Sequence, residues 1–372
     1  MSELTASLEQ LSSALIADAT LCESALNLHI GETRIVIRSN SATLLEQLKR
    51  YFHHVVSDHG PVDIEILAIE RPSPELPVDF IDWQRERGKT GRKDSFFDFP
   101  KGRLVRKVRT GMVFLQSGCM GIAAGPCLAN DNQVVNFINA QYMNALQQQG
   151  WQTCHAAGLV YQNRAMAIAG FSGGGKSTLM LHTMENPEVQ FMTNDRLFVR
   201  NVGGVAQAVG IPKMPRVNPG TLLHNERLLS ILEPQRITEL RALPREELWD
   251  LEEKYDVHID ACYGAERICH AAPLAAFLVL NWDRQSDEPL QFNEVDLSQR
   301  RDLLAAIMKS PGPFFQHAQG PFHQAQTPFD EAAYLQALQG VTIYEACGQV
   351  DFEALSDLYI DSLSVEQCAQ AC

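Results

Sequence analysis

Leu4, Leu8, Leu11 and Leu15 recur at a helical interval with polar residues between them, which predicts an amphipathic helix near the start of the chain. The period then changes. LNLHIGETRIVIRSN reads as two strands about Gly31-Glu32, with Arg34, Val36 and Arg38 alternating against Ile35 and Ile37. Ser41 is placed to cap a helix over ATLLEQLKRYF, VDIEILAIE reads as a further strand, and the proline-rich RPSPELP ends it. Strand-like runs return in GRLVRKVRT and GMVFLQS. Residues 1–128 therefore read as one mixed α/β unit.

Asn130 or Asp131 is expected to cap a helix reaching Gln149, with Val134, Phe137, Ile138 and Tyr142 on its apolar face and Gly150 stopping it. The pattern then becomes strand–turn–strand–loop–helix. GLVYQ and AMAIA are short apolar strands joined at Asn163-Arg164, and the second runs directly into GFSGGGKSTLMLHTMENPE. The helix in that segment should end near Asn186-Pro187, because proline cannot continue it. VQFMT follows as a buried strand, and 312–329, with two GPF triplets, reads as a surface loop. Residues 129–372 form the second expected domain.

Composition agrees with two folded domains: 372 residues, 45% apolar and 20% charged. Such a chain is neither disordered nor collagenous. It has no apolar run of membrane-spanning length, and its acidic, polar start lacks the features of a secretory signal. Nine cysteines at scattered spacings fit reduced thiols, so the expected location is the cytoplasm, with no membrane partner. A net charge of −14 argues against an electrostatic nucleic-acid binder. Against that surplus, Arg85–Arg109 holds ten Lys/Arg and three Asp/Glu, a basic island suited to recognising an acidic partner or to lying in solvent.

One segment carries recognisable chemistry. Gly170-Phe171-Ser172-Gly173-Gly174-Gly175-Lys176-Ser177 fits G-x-x-x-x-G-K-[ST], with Thr178 next. Glycines let backbone N–H groups curl around phosphate oxygens, and the helix that follows adds its positive end. Lys176 would reach the β- and γ-phosphates of ATP, and the Ser177 hydroxyl would complete the shell of a magnesium ion. A reaction also needs a carboxylate for the metal, for which the chain offers Asp195, after VQFMT, and Asp283, after AAFLVLNW. Either also reads as a turn residue at a strand end, Asp283 more readily than Asp195.

Cys154-His155-Ala156-Ala157-Gly158, two short strands, GFSGGGKST and then Thr193-Asn194-Asp195 occur in an order that resembles the HPr kinase/phosphorylase family, and more closely the HPr-kinase-related kinases designated kinase B. The resemblance covers roughly residues 150–220. It implies an α/β P-loop kinase core of the HPr kinase and phosphoenolpyruvate carboxykinase-like type, preceded by the smaller N-terminal domain. It also implies a homo-oligomer. Carried over residue by residue, it makes His155, Lys176, Asp195 and Arg216 catalytic, and Ser177 with Asp195 the magnesium ligands. The nucleotide would be held by Gly170, Ser172, Gly173, Gly174, Gly175, Lys176, Ser177, Thr178 and Lys213.

Asn194 is a departure, because the family usually shows an acid there and an amide cannot act as a general base. His155 or Asp195 would then take the acceptor's proton. Ile211-Pro212-Lys213-Met214-Pro215-Arg216-Val217-Asn218-Pro219-Gly220 resembles a diverged Pro-Lys-Arg-Asn signature, whose cations would clamp the transferred phosphate.

The expected activity is ATP-dependent transfer of the γ-phosphoryl group to a hydroxyl, on a protein serine or a small molecule. A nucleotide-switched binding module without transfer, and carboxykinase-like chemistry on an organic acid, are the alternatives.

Overall fold

The computed structural model describes residues 7–84, 91–118, 120–171, 173–244, 247–248, 251, 253–283 and 285–370. The chain divides into two compact units, Met1–Gly150 with Ser310–Pro328 and Trp151–Lys309 with Phe329–Cys372. The boundary thus falls at Gly150 and not at residue 128. The helix expected to open the second part packs instead on the sheet of the first.

In the first unit, α1 (Leu8–Ile16) starts at Ser7, whose hydroxyl accepts from the Gln10 amide while Gln10 Oε1 accepts from the Ser7 amide. Its periodic Leu11 and Leu15 are buried. Eight strands follow: β1 (Leu26–Ile30), β2 (Thr33–Ser39), β3 (Ile64–Glu70), β4 (Ile81–Asp82), β5 (Asp94–Phe99), β6 (Gly102–Lys107), β7 (Val113–Ser117) and β8 (Met120–Gly125). They form one sheet in the order β1-β2-β3-β8-β7-β6-β5-β4. The expected hairpin at Gly31 is present, and Ile35 and Ile37 face the core while Arg38 turns outward to Glu65 at 3.2 Å. β4, β5 and β8, which the pattern did not single out, complete the sheet.

Between β2 and β3, α2 (Ala42–Tyr51) is capped as expected by Ser41, whose hydroxyl accepts from the Leu44 amide at 3.2 Å. α3 (Asp131–Gln148) buries Val134, Phe137, Ile138 and Tyr142, as its spacing predicts. It also buries Asn139, Gln141 and Asn144. Two of these amides have partners that explain their position: Gln141 Nε2 donates to Gln116 Oε1 at 2.7 Å, and Asn144 Oδ1 accepts from the Gln316 amide at 2.9 Å.

Gln316 belongs to the segment expected to be a surface loop, which instead completes the first unit's core. The reason is Arg103, a fully buried residue of the basic island. Its guanidinium pairs with Asp98, donates to the carbonyls of Pro313 and His323 at 3.0 and 2.9 Å, and stacks near Phe96 and Phe322. Arg92 pairs with Asp82, and Lys107 with Asp94. Three of the island's ten cations are therefore paired within their own sheet, and Arg85, Arg87 and Lys89 lie outside the described residues.

The second unit contains β9 (Gln152–Cys154), β10 (Ala156–Tyr161), β11 (Arg164–Gly170), β12 (Gln190–Thr193), β13 (Leu197–Val202), β14 (Val205–Val209), β15 (Arg216–Val217), β16 (Tyr255–Asp256), β17 (Ala271–Leu280), β18 (Gln291–Glu294) and β19 (Thr342–Cys347). All but β15 and β16 join one mixed sheet, with the path β12-β10-β11-β17-β14-β13-β9 and with β19 between β17 and β18. The β10–β11 turn is centred on Gln162 and Asn163, both with positive φ (49° and 61°), one residue before the expected pair. α4 (Lys176–Thr183) follows β11 and ends three residues before Asn186. α5 (Pro219–Leu223) and α6 (Pro234–Arg241) each start with proline in the first turn. Among the described residues, no helix is long and apolar enough to cross a membrane.

Candidate functional site

Strand direction brings the site together. β10 pairs antiparallel with both β11 and β12, so it starts at the sheet edge where those two strands end. His155 precedes β10, the glycine-rich loop leaves β11 at Gly170, and Asn194-Asp195 follow β12. Three segments separated in sequence thus deliver their chemistry to one edge. β17 runs parallel to β11, so Trp282 arrives at the same edge.

The loop between β11 and α4 needs its glycines. Gly173 and Gly175 have φ of 78° and 89°, values that strain any L side chain. A Cβ on Gly175 would also meet the Phe352 ring at 2.9 Å. The loop is braced from behind, because Trp282 Nε1 donates to the Gly174 carbonyl at 2.8 Å and Trp282 packs edge-to-face on Phe352. Lys176 is buried, and its ammonium donates to the Gly170 carbonyl at 3.1 Å, folding back over the loop it follows. Burial lowers its pKa, Asp195 opposes that shift, and Lys309 and Arg196 add to it. Ser177 lies in the first turn of α4. Thr178 is turned to α5, its hydroxyl 3.0 Å from that of Thr221. Ser172 lies outside the described residues.

Asp195 sits among cations. Its carboxylate is 50% exposed, lies 3.1 Å from His155 Nε2, and is paired on its other oxygen with Arg196. Burial works against its ionisation, but Arg196, the hydrogen bond from His155 and the charge of Lys309 outweigh it and hold Asp195 well below the usual carboxylate range. The Oδ1 of the neighbouring Asn194 is buried without a hydrogen-bond partner in the structure.

The proline-rich segment is more than a stiff surface loop. Ile211, Met214 and Val217 are buried and anchor it, each worth roughly 1.5–3 kcal/mol. Lys213 and Arg216 are half-buried between those anchors. Arg216 lies 3.1 Å from Asp256, its partner across β15 and β16, although the contact lacks hydrogen-bond geometry. Both side chains are 39% exposed, so this ion pair is worth ~1 kcal/mol or less. Burial, with Arg196 and Arg216 nearby, pushes Lys213 down to about 8 despite Asp195 and Asp256.

The other acid considered, Asp283, behaves as a strand-end turn residue. Its carboxylate accepts from the Gln285 amide at 3.0 Å and its own amide donates to the Gly348 carbonyl. His270, near Cys269, is a half-buried ring that desolvation pushes down to about 4. Among the described residues, no group of three or more His, Cys, Asp or Glu could hold a metal ion.

Two charged residues at this edge escaped the sequence reading. Arg196 directly follows Asp195, so a signal was available in Thr193-Asn194-Asp195-Arg196. Lys309 had none, because it reaches the site only through tertiary pairing: Met308 bridges Cys154, and the His155 amide donates to the Ile307 carbonyl at 2.7 Å.

No family model matches the sequence, and no curated protein matches it. Among solved structures, the chain is similar to the Hpr(Ser) kinase/phosphatase from Coxiella burnetii, at 9% sequence identity and a TM-score of 0.30, over 59% of this chain and 99% of that one.

Proposed function

We propose that this protein binds ATP on the Gly170–Ser177 loop and transfers its γ-phosphoryl group to a hydroxyl acceptor. The observation that carries the reading is one sheet edge holding a braced glycine-rich loop, the folded-back Lys176, and the His155–Asp195 pair. A bound triphosphate would take Lys176 from the Gly170 carbonyl, exchanging a neutral acceptor for a charged one. Lys213 and Arg216 would neutralise charge on the transferred group, and Thr178 and Thr221 would close the floor of the loop.

A magnesium ion suits the oxygens offered here, namely the Ser177 hydroxyl, the Asp195 carboxylate and the orphaned Asn194 amide oxygen. When bound, it would supply positive charge that offsets the charge of the phosphates.

The acceptor oxygen would form a bond to the γ-phosphorus as the bond to the β–γ bridging oxygen breaks and ADP leaves with that electron pair. The hydroxyl proton needs a base. Asp195, held ionised by its cations, binds a proton weakly, so the base assigned here is the His155 imidazole, whose Nε2–H is donated to Asp195 and whose lone pair is therefore on Nδ1. ATP consumption measured with and without cell extract separates this reading from a nucleotide-switched binding module, which would bind ATP and consume none.

Two predictions follow from particular residues. Asn194→Asp is expected to leave ATP binding intact and to retain or raise transfer, read as initial rates at saturating ATP. A loss of nucleotide binding would make the amide structural instead.

The second concerns pH. Lys213 attracts a polyanion only while protonated, so ATP affinity should fall as pH rises from 7 to 9, through its value of about 8. The slope is at most about tenfold per pH unit. Lys213→Arg, charged throughout, should flatten the profile; an identical slope in that variant would remove Lys213 from the site.

A further inference from the structure

We propose that the acceptor is itself an anion, a hydroxyl compound bearing a phosphate or carboxylate group, which Arg196 and Lys309 hold on the His155 side of Asp195. This inference rests on the transferase reading above and names the acceptor's chemistry.

The backbone fixes Lys309 next to His155. Ile307–Lys309 runs antiparallel beside Cys154 and His155 through the His155–Ile307 hydrogen bond and the Cys154–Met308 bridge. Tyr334 then clips the two segments together. Its buried hydroxyl donates to the Thr153 carbonyl at 2.6 Å and accepts from the Lys309 amide at 3.3 Å. A buried hydroxyl satisfied from both sides gives the pairing one geometry. Arg196 is fixed as well, because its carbonyl accepts from the Thr193 hydroxyl at 3.0 Å and its guanidinium grips Asp195.

These cations crowd one another. Lys309 and Arg196 both act on Lys176, and Arg196 and Arg216 both act on Lys213. The acids acting on these lysines are Asp195 and Asp256. This gathering stands in a chain with a net charge of −14. Crowded like charges cost free energy in the unliganded protein, so a fold that keeps them is built for a ligand that supplies negative charge.

ATP accounts for part of that demand, on the loop side, where Lys176 lies. Lys309 lies beside His155 through the backbone pairing, and Arg196 shares Asp195 with it. The acceptor hydroxyl must lie there if His155 is to take its proton. A neutral alcohol would leave those two cations without a ligand charge, whereas an acceptor with its own phosphate or carboxylate would be held and oriented by them.

The test uses the whole protein, saturated with magnesium and a non-hydrolysable ATP analogue so that the loop is occupied. It is then titrated with inorganic phosphate and, separately, with acetate, by calorimetry. Saturable binding of one anion per chain is expected, and whichever anion binds more tightly identifies the acceptor's charged group. Lys309→Gln and Arg196→Gln should each weaken it by about tenfold or more, and Lys309→Arg should restore most of the loss. Affinity for the analogue should change by less than about twofold in Lys309→Gln, which also shows that the variant is folded.

Tyr334→Phe, which keeps the ring and loses the clip, should weaken the anion less than Lys309→Gln does. If the analogue-loaded protein binds neither anion, or Lys309→Gln binds them like wild type, the inference is overturned and the transferase reading stands. If the analogue itself does not bind, both fall.

Discussion

Replacing Lys176 with alanine is expected to lower ATP turnover by about 10²–10³, the cost of losing one preorganised charge from a phosphoryl-transfer site. The same change should leave the fold as stable as before, or more so. Lys176 is a buried ammonium whose one described hydrogen bond runs to the Gly170 carbonyl, and burial, with the cations Lys309 and Arg196, disfavours its charge more than Asp195 favours it. Removing it relieves that penalty for the loss of a hydrogen bond worth roughly 1.5–3 kcal/mol. A variant with unchanged or raised Tm and lost ATP binding would separate function from folding, as expected of a residue retained for its ligand. Calorimetric titration with ATP and magnesium alongside thermal unfolding reads both. Wild-type affinity in this variant contradicts the assignment.

Asp195→Asn carries the second large effect, and its signature is an opposition of signs. The amide is nearly isosteric but cannot hold magnesium as a charge or accept an ion pair from Arg196 and His155. Transfer with magnesium should fall by about 10²–10³. Binding of ATP without magnesium should strengthen, because the carboxylate that repels the phosphates is gone while Lys176 and Lys213 remain. Metal-free and metal-saturated titrations of one preparation decide it. A fall in both would mean that the substitution disturbs the fold, and a fall in neither would remove Asp195 from the chemistry.

Local grammar made much of the second unit readable. Strand β11 running into glycines and then into α4 follows from short-range rules, since Gly173 and Gly175 adopt backbone angles that side chains resist. The meeting of His155 and Asp195 at 3.1 Å was anticipated only in the order of segments, and the antiparallel β10 supplies the geometry. What stayed hidden is non-local. Lys309 lies 154 positions beyond His155 and comes alongside it through backbone pairing that no periodicity announces.

The same holds in the first unit. Gly150 replaces residue 128 as the boundary because α3 is buried on more than its apolar stripe, with glutamines and asparagines paired inside. The 310–328 segment looked like a loop from its glycines and prolines, but buried Arg103 needs its carbonyls. Charge counting could not show how the basic island is paired, for a related reason. Net charge along a segment does not reveal that Asp98, Asp94 and Asp82 sit across the strands from its arginines and lysine.

The central claim is that a phosphoryl group leaves ATP bound at Lys176 and arrives on a hydroxyl. Incubating the wild-type protein and Lys176→Ala with γ-labelled ATP and fractionated extract tests it directly. The account predicts label on an acceptor in a wild-type-dependent fraction, with ADP formed in equal amount and neither product above background with the variant. Labelled ATP recovered intact from a wild-type protein that binds it, in every fraction, would contradict transfer and leave a nucleotide-binding module in its place.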